Sequence, residues 1–139
     1  DLVKGGPLFK QMQGMKRQID LSEELHKPLV IHNVHAHDII IGMKKDMKPT
    51  QNWLIHGFRG KPTVARMLTD AGIWLSFNDK FNDAAVPEVP TDLLLAETDE
   101  SSTPITEIIT ALSYLRGHDL TEEIVNNACR FLAPDSRMA

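Results

Sequence analysis

The hydrophobic residues of this chain follow two patterns. Some form short continuous runs, and others recur every three or four residues, as on one face of a helix. Four runs are apolar throughout, at residues 29–31, 53–55, 73–75 and 93–95. Runs of this length, bounded by proline, glycine or polar residues, are typical of strands that are covered on both faces. The second, third and fourth runs are evenly spaced along the chain, which indicates one repeated structural unit.

Helical stripes separate the runs. The first follows the Gly5-Gly6-Pro7 turn and ends before Pro28. Others fall within 36–47, 62–71 and 104–115, and the last begins near Asp119 or Thr121; residues 78–92 are expected to hold at most a short helix. Alternating strands and helices predict an α/β fold with a parallel sheet and right-handed crossovers. The side chains expected to form the apolar stripes of the first and last helices are Leu8, Met12, Met15, Ile19, Leu21, Leu25, Ile124, Val125, Ala128, Phe131 and Leu132.

Helix ends are marked by local signals as well. Gly72 and Gly117 follow two of the stripes, where glycine commonly ends a helix. Ser102 or Thr103 can cap a helix that Pro104 begins. These signals support separate helices between the strand-like runs.

Composition adds limits on function. The 139 residues are 42% apolar and 24% charged, which predicts one globular domain spanning residues 1–139. No run approaches the roughly 18 apolar residues of a membrane span, so no membrane partner is expected. The net charge of −4 gives no global footprint for nucleic acid, so a polyanion would be held by a local patch or metal ions. The single cysteine, Cys129, indicates a reducing, cytoplasmic compartment and is expected to pack in the core.

Polar side chains end three of the four runs. His32 and His56 follow the first two, and Glu97 and Asp99 follow the fourth. In parallel α/β folds, ligands and chemistry gather at the carboxyl ends of the strands. Imidazole and carboxylate groups suit Zn²⁺, Mn²⁺ or Fe²⁺. The spacing therefore predicts a metal site shared by His32, His56 and Asp99, with side-chain tips within roughly 8 Å of one another.

The neighbouring residues leave alternatives open. Glu97 has the same strand parity as Asp99, so it either joins the site or makes an ion pair within the fold. His35 and His37 begin the next helix and are read as mouth residues, with His35 a candidate substrate contact. Arg59 is either an ordinary surface arginine or a phosphate-binding group in its glycine-flanked loop.

Three segments resemble the TatD-type metal-dependent deoxyribonucleases. Residues 27–32 (KPLVIH) are similar to the family's PVIIH strand, residues 55–60 (IHGFRG) to its HCFSG segment, and residues 93–99 (LLLAETD) to LLLETD. They occur in the family's order, and the resemblance covers essentially the whole chain. It implies a (β/α)₈ TIM barrel, related to the amidohydrolases, that cleaves DNA phosphodiester bonds with divalent metal ions (Mg, Mn or Zn), two in the complete enzyme.

The resemblance also implies that this chain is the C-terminal half of the barrel, about four βα units, carrying part of the site. His32, His56 and Asp99 match three family ligands, with Asp99 also catalytic and Arg59 and His35 binding substrate. The family's His-x-His pair has no counterpart, and Asp1-Leu2 resembles the end of its GEIGLD motif. The expected partners are DNA and either the absent N-terminal half or a second copy.

Two departures concern the mouth of the site. Val34 stands where the family commonly has arginine, and residues 100–102 (ESS) replace a short proline-containing segment. These differences leave substrate preference open. The alternatives are an amidohydrolase-like enzyme acting on a small ester, lactone or amide, and a truncated half-barrel without activity.

Overall fold

Four short parallel strands form one sheet in chain order. The computed structural model describes residues 1–133, with strands β1 (Leu29–Ile31), β2 (Trp53–Ile55), β3 (Trp74–Phe77) and β4 (Leu94–Ala96). Each strand pairs in parallel with the next one along the chain. The predicted α/β fold with a parallel sheet is confirmed.

Helices connect the strands and follow the last one. They are α1 (Leu8–Leu25), α2 (His37–Met47), α3 (Pro62–Asp70), α4 (Ile105–Arg116) and α5 (Thr121–Leu132). Two 3₁₀ turns, Asp83–Glu88 and Thr91–Leu93, occupy the looser stretch before β4. None of the helices described here combines the length and the apolar character that crossing a membrane requires.

The two faces of the sheet have different neighbours. Side chains alternate between the faces along each strand. One face packs in the main core with residues of the helices, through side chains such as Trp53, Leu75 and Phe77, all 0% exposed. On the other face, a small cluster joins Leu54, Trp74, Leu95 and Phe131 of α5. We refer to this second surface as the inner face.

The edge strand β1 leaves part of the inner face open. Val30 is in register with Leu54 and belongs to the same face. Leu54 is buried, whereas Val30 is 57% exposed. The inner-face cluster therefore ends before it reaches β1.

Helix α5 is anchored near the amino ends of the strands by polar contacts. The Asn127 side-chain amide donates to the carbonyls of Thr91 and Leu94, at 2.6 and 2.9 Å. Asn52, which precedes β2, donates to the carbonyl of Phe131 at 3.2 Å. Because these bonds hold α5 at the amino ends, the carboxyl ends of the strands stay open.

Two predicted apolar stripes are wrong in part. In α1 the exposed side chains are those of Leu8, Met12, Leu21 and Leu25, and in α5 they are those of Val125 and Leu132. With 3.6 residues per turn, the buried stripe of α5 runs through Ile124, Asn127 and Phe131, and the adjacent positions turn outward. In α1 the buried positions are Ile19 and Ser22, and the Ser22 hydroxyl donates to the Lys27 carbonyl.

The prediction for the cysteine is also wrong. Cys129 is exposed instead of packed in the core. It lies two positions before Phe131, which is buried, and a step of two residues on a helix points to the opposite side. Its position therefore follows from the same rotation of the α5 stripe.

Candidate metal centre

A cleft of about 680 Å³ opens at the carboxyl ends of the strands. Residues that directly follow β1 and β2 form part of its walls, because the strand ends converge there. The loop after β2 and the residues after β3 and β4 complete it. Its polar and charged lining includes His32, Asn33, His35, His37, His56, Arg59, Lys61, Asn78 and Asp99.

Three side chains at this end could hold a metal ion together. His56, Glu97 and Asp99 each offer one ligand atom, and these atoms all lie within 4.8 Å of one another. His56 follows β2, whereas Glu97 and Asp99 follow β4. Asp99 adopts a left-handed backbone conformation (φ 48°), which aspartate tolerates better than most residues. The backbone therefore turns at Asp99, whose side chain lies close to those of His56 and Glu97.

Glu97 contacts His56 directly. Its Oε1 lies 3.5 Å from Nδ1 of the imidazole, and the two side chains are 18% and 28% exposed. This oxygen is buried and has no hydrogen-bond partner. A buried acceptor without a partner is costly, so its presence indicates a group or arrangement that satisfies it. The imidazole nitrogen of His56 and the carboxylate of Asp99 are donor types that suit a divalent metal ion, so the residues present fit such an ion.

His32 lies beside this group, outside the set of atoms within 4.8 Å. Its ring centroid is 5.6 Å from that of His56, with the two planes tilted by 40°. Its side chain is 61% exposed, and Nε2 lies 3.6 Å from Oδ2 of Asp1. The structure thus brings His56 and Asp99 together and sets His32 next to them.

Asp1 reaches the site from the start of the chain. Its Oδ1 accepts hydrogen bonds from the backbone N–H groups of Val3 and Lys4, both at 2.8 Å. The N–H of Leu2 donates to the carbonyl of Val34, just past β1, at 3.0 Å. The site predicted from the sequence did not include Asp1. The sequence signal for Asp1 was the similarity of Asp1-Leu2 to the end of the family's GEIGLD motif.

Two further predicted residues lie on the rim of the cleft. Arg59 is exposed in the loop that follows His56, next to the buried Phe58. His35 is exposed and has a left-handed backbone (φ 57°). Both line the same cleft as His56 and Asp99, and so does Lys61. The rim is therefore cationic on the side of Arg59.

Asn78 is a cleft residue that the sequence reading missed. It is 4% exposed, and its Oδ1 accepts the backbone N–H of Lys80 at 2.9 Å. This bond leaves the side-chain N–H₂ group as the free donor of the amide. The third predicted run ended at residue 75, and extending its alternation by three residues would have put Asn78 on the same face as Trp74.

Comparison with known proteins identifies the family. Residues 3–132 match the family described as TatD related DNase. The metal-dependent hydrolase YabD of Bacillus subtilis is 33% identical over 97 residues, covering 64% of this chain and 38% of that protein. A Danio rerio protein named "Putative deoxyribonuclease tatdn3" is 28% identical over 95 residues, covering 65% of this chain and 35% of that protein.

The fold is also that of solved members. The crystal structure of YJJV, a TatD homologue from Escherichia coli K12, aligns with a TM-score of 0.81 at 18% identity. The alignment covers 95% of this chain and 60% of that one, so the chain spans well under the full length of these relatives. With the family match over residues 3–132, these likenesses show that the chain belongs to the TatD family of metal-dependent hydrolases.

Proposed function

We propose that the protein containing this chain hydrolyses phosphodiester bonds of DNA with divalent metal ions, Mg²⁺, Mn²⁺ or Zn²⁺, two in the complete enzyme. The observation that carries this proposal is the grouping of His56, Glu97 and Asp99 within 4.8 Å. Asp99 and His56 line the same cleft as Arg59. The name of the Danio rerio relative supports a nucleic-acid substrate.

The chemistry divides between the metal and the chain. When bound, a divalent cation polarises a phosphoryl oxygen and lowers the pKa of water. His56 and Asp99 would hold it, with His32 as a further ligand from the neighbouring strand. The Asp99 carboxylate accepts the proton that the attacking water loses. Arg59 binds the phosphate through two parallel hydrogen bonds and orients it over the group, and His35 contacts the substrate at the rim.

We further propose that residues 1–139 are one unit, the C-terminal half of a (β/α)₈ barrel. In the described part of the chain, β1 and β4 each pair with a neighbour on one side. The exposed Val30 continues the inner face at the β1 edge. In this proposal the N-terminal half of the barrel covers the β1 edge. In its absence, a second copy of this chain covers that edge.

The test is metal-dependent cleavage by the full-length protein. We expect Mn²⁺ or Mg²⁺ to support hydrolysis of a DNA oligonucleotide and a chelator to abolish it. Asp99→Asn should lower kcat by at least 10²-fold, since it removes the proton acceptor. Asp20→Asn, the same change at an exposed carboxylate on α1 outside the cleft, is the matched control. Turnover of a small ester, lactone or amide without DNA cleavage would overturn the nuclease proposal in favour of the amidohydrolase-like alternative.

A further inference from the structure

We propose that Glu97 is a positioning residue that acts through His56. Its carboxylate accepts a hydrogen bond from the Nδ1–H of His56 and so leaves Nε2 as the bare nitrogen presented to the cleft. The inference rests on the proposed metal centre, but it concerns an arrangement within this chain. It assigns different roles to the two carboxylates that follow β4.

The first support is the contact itself. Oε1 of Glu97 lies 3.5 Å from Nδ1 of His56. This separation exceeds the 2.7–3.2 Å of an ordinary N–H···O bond. Hydrogen bonds of catalytic groups are often long in ligand-free structures and tighten when the ligand binds.

The second support is where the carboxylate lies. His56, His32 and Asp99 line the cleft, and Glu97 is not among the residues of its walls. Oε1 is buried away from solvent. A metal ion that activates water has to face the cleft, so its ligand atoms face the cleft too. Glu97 is outside these walls and contacts the imidazole of His56, which suits a residue that orients a ligand.

Gly57, in the turn after His56, leaves room for the Glu97 carboxylate. Its backbone is left-handed (φ 58°), a conformation that favours glycine. A Cβ at this position would lie 3.4 Å from Oε1 of Glu97 and 3.4 Å from Nδ2 of Asn78. The N–H of Glu97 donates to the carbonyl of Phe77 at 2.9 Å, which holds this backbone in line with β3. The carboxylate is therefore packed against the turn that follows His56.

The consequence for binding follows from imidazole chemistry. A neutral histidine has one protonated and one bare nitrogen, and only the bare nitrogen binds a metal. A carboxylate on the other nitrogen selects the tautomer and the ring orientation. Loss of such a partner typically weakens metal affinity by 10- to 100-fold. Glu97 would therefore prepare His56 before any metal arrives.

The test compares Glu97→Ala and Glu97→Gln in the full chain, with Glu100→Ala as the control at an exposed neighbouring carboxylate. The first readout is the His56 tautomer in the metal-free chain, from ¹⁵N long-range correlation spectra. We expect the Nδ1–H form in the wild type and in Glu97→Gln, which keeps an acceptor oxygen. We expect that preference to be lost in Glu97→Ala and kept in the control.

The second readout is calorimetric binding of Zn²⁺ alone. We expect a 10- to 100-fold loss of affinity in Glu97→Ala and a smaller loss in Glu97→Gln. An unchanged tautomer in Glu97→Ala, or equal losses in both variants, would overturn the proposal, since equal losses indicate a direct ligand. If Glu97→Ala does not fold, as judged by circular dichroism, loss of the Nδ1–H form in Glu97→Gln overturns it instead. A wild-type chain with the predicted tautomer and no Zn²⁺ binding would contradict the proposed function and leave the positioning role supported.

Discussion

Arg59 stands exposed on the rim of the cleft, in the loop that follows His56. Its planar guanidinium can bind a phosphate through two parallel hydrogen bonds. Removing such a pair costs on the order of 2–3 kcal/mol, which corresponds to about 30- to 150-fold in rate. We expect Arg59→Ala to lower kcat/KM for DNA by that factor and to leave Zn²⁺ affinity unchanged, as measured by steady-state cleavage and calorimetry.

Two variants control this prediction. Arg17→Ala removes the same charge from an exposed position on α1, away from the cleft residues, and should leave cleavage unchanged. Arg59→Lys keeps the charge but loses the paired donors, so its activity should fall between those of the wild type and Arg59→Ala. DNA turnover that is equal in Arg59→Ala and the wild type would exclude a phosphate-binding role for Arg59.

The ligand-type residues could be predicted because they end strands. His56 and Asp99 were expected at one edge of a parallel sheet, and they share one group of possible ligand atoms. Strand parity also predicted that Glu97 lies on the same face as Asp99. It did not predict that Glu97 contacts His56. That contact depends on the left-handed turn at Gly57, which periodicity does not reveal. Asp1 approaches His32 only through tertiary folding, so spacing could not identify it.

At the scale of elements, Arg116 ties the end of α4 to the 3₁₀ region before β4. Its guanidinium donates to the carbonyls of Val86, Pro87 and Val89 at 3.2, 3.0 and 2.6 Å, and to Oγ1 of Thr91 at 2.7 Å. Arg116→Ala removes the donor of all four bonds, and of these acceptors the Val86 carbonyl keeps the N–H of Val89. We expect the free energy of unfolding to fall by about 2–4 kcal/mol, measured by urea denaturation.

A charge-preserving variant separates geometry from charge at this position. Arg116→Lys retains the positive charge but has one ammonium group in place of the guanidinium fork, so its loss should be smaller than that of Arg116→Ala. Arg17→Ala again provides the surface control. A loss below about 0.5 kcal/mol in Arg116→Ala, within the range of ordinary surface changes, would contradict the assigned role.

The order and type of the elements followed from hydrophobic spacing, but their fine detail did not. Ser102 or Thr103 was expected to cap α4, yet Pro104 occupies the N-cap position and no side chain caps the helix. Instead, the Ser101 hydroxyl accepts the N–H of Thr103 and stabilises the preceding turn. Serine and threonine hydroxyls can either cap a helix or stabilise a turn, so the sequence alone could not select between these two arrangements.

At the scale of the whole molecule, the open β1 edge should determine association. Val30 is an apolar inner-face side chain that is 57% exposed. In the proposed half-barrel, this surface is covered by the N-terminal half or by a second copy. We expect the isolated 139-residue chain to associate in sedimentation equilibrium, and we expect Val30→Lys to shift it toward monomer because a charge at the interface is costly to bury.

The control is an exposed aromatic residue far along the chain. Tyr114 on α4 is 86% exposed, and Tyr114→Ser should leave the association unchanged. A chain that is monomeric and unfolds cooperatively without a partner would contradict the half-barrel proposal. It would indicate a small open-sheet α/β domain with the same strand order.

The sheet order could be predicted because consecutive βα units place consecutive strands side by side. The placement of α5 could not be predicted. It depends on Asn127 and on Asn52, whose amide bonds to the carbonyl of Phe131, and polar contacts over such sequence distances leave no periodic signal. These contacts bring Phe131 onto the inner face, where its ring meets that of Trp74 at 5.3 Å.

Anomalous diffraction from crystals of the chain soaked in Zn²⁺ tests the central claim most directly. We predict a peak bonded to Nε2 of His56 and to the carboxylate of Asp99 at about 2 Å. Glu97 should then hydrogen-bond to Nδ1 of His56 without contacting the ion. A peak elsewhere, or none at these side chains under conditions where Zn²⁺ is present in excess, would contradict a metal centre at the carboxyl ends of these strands.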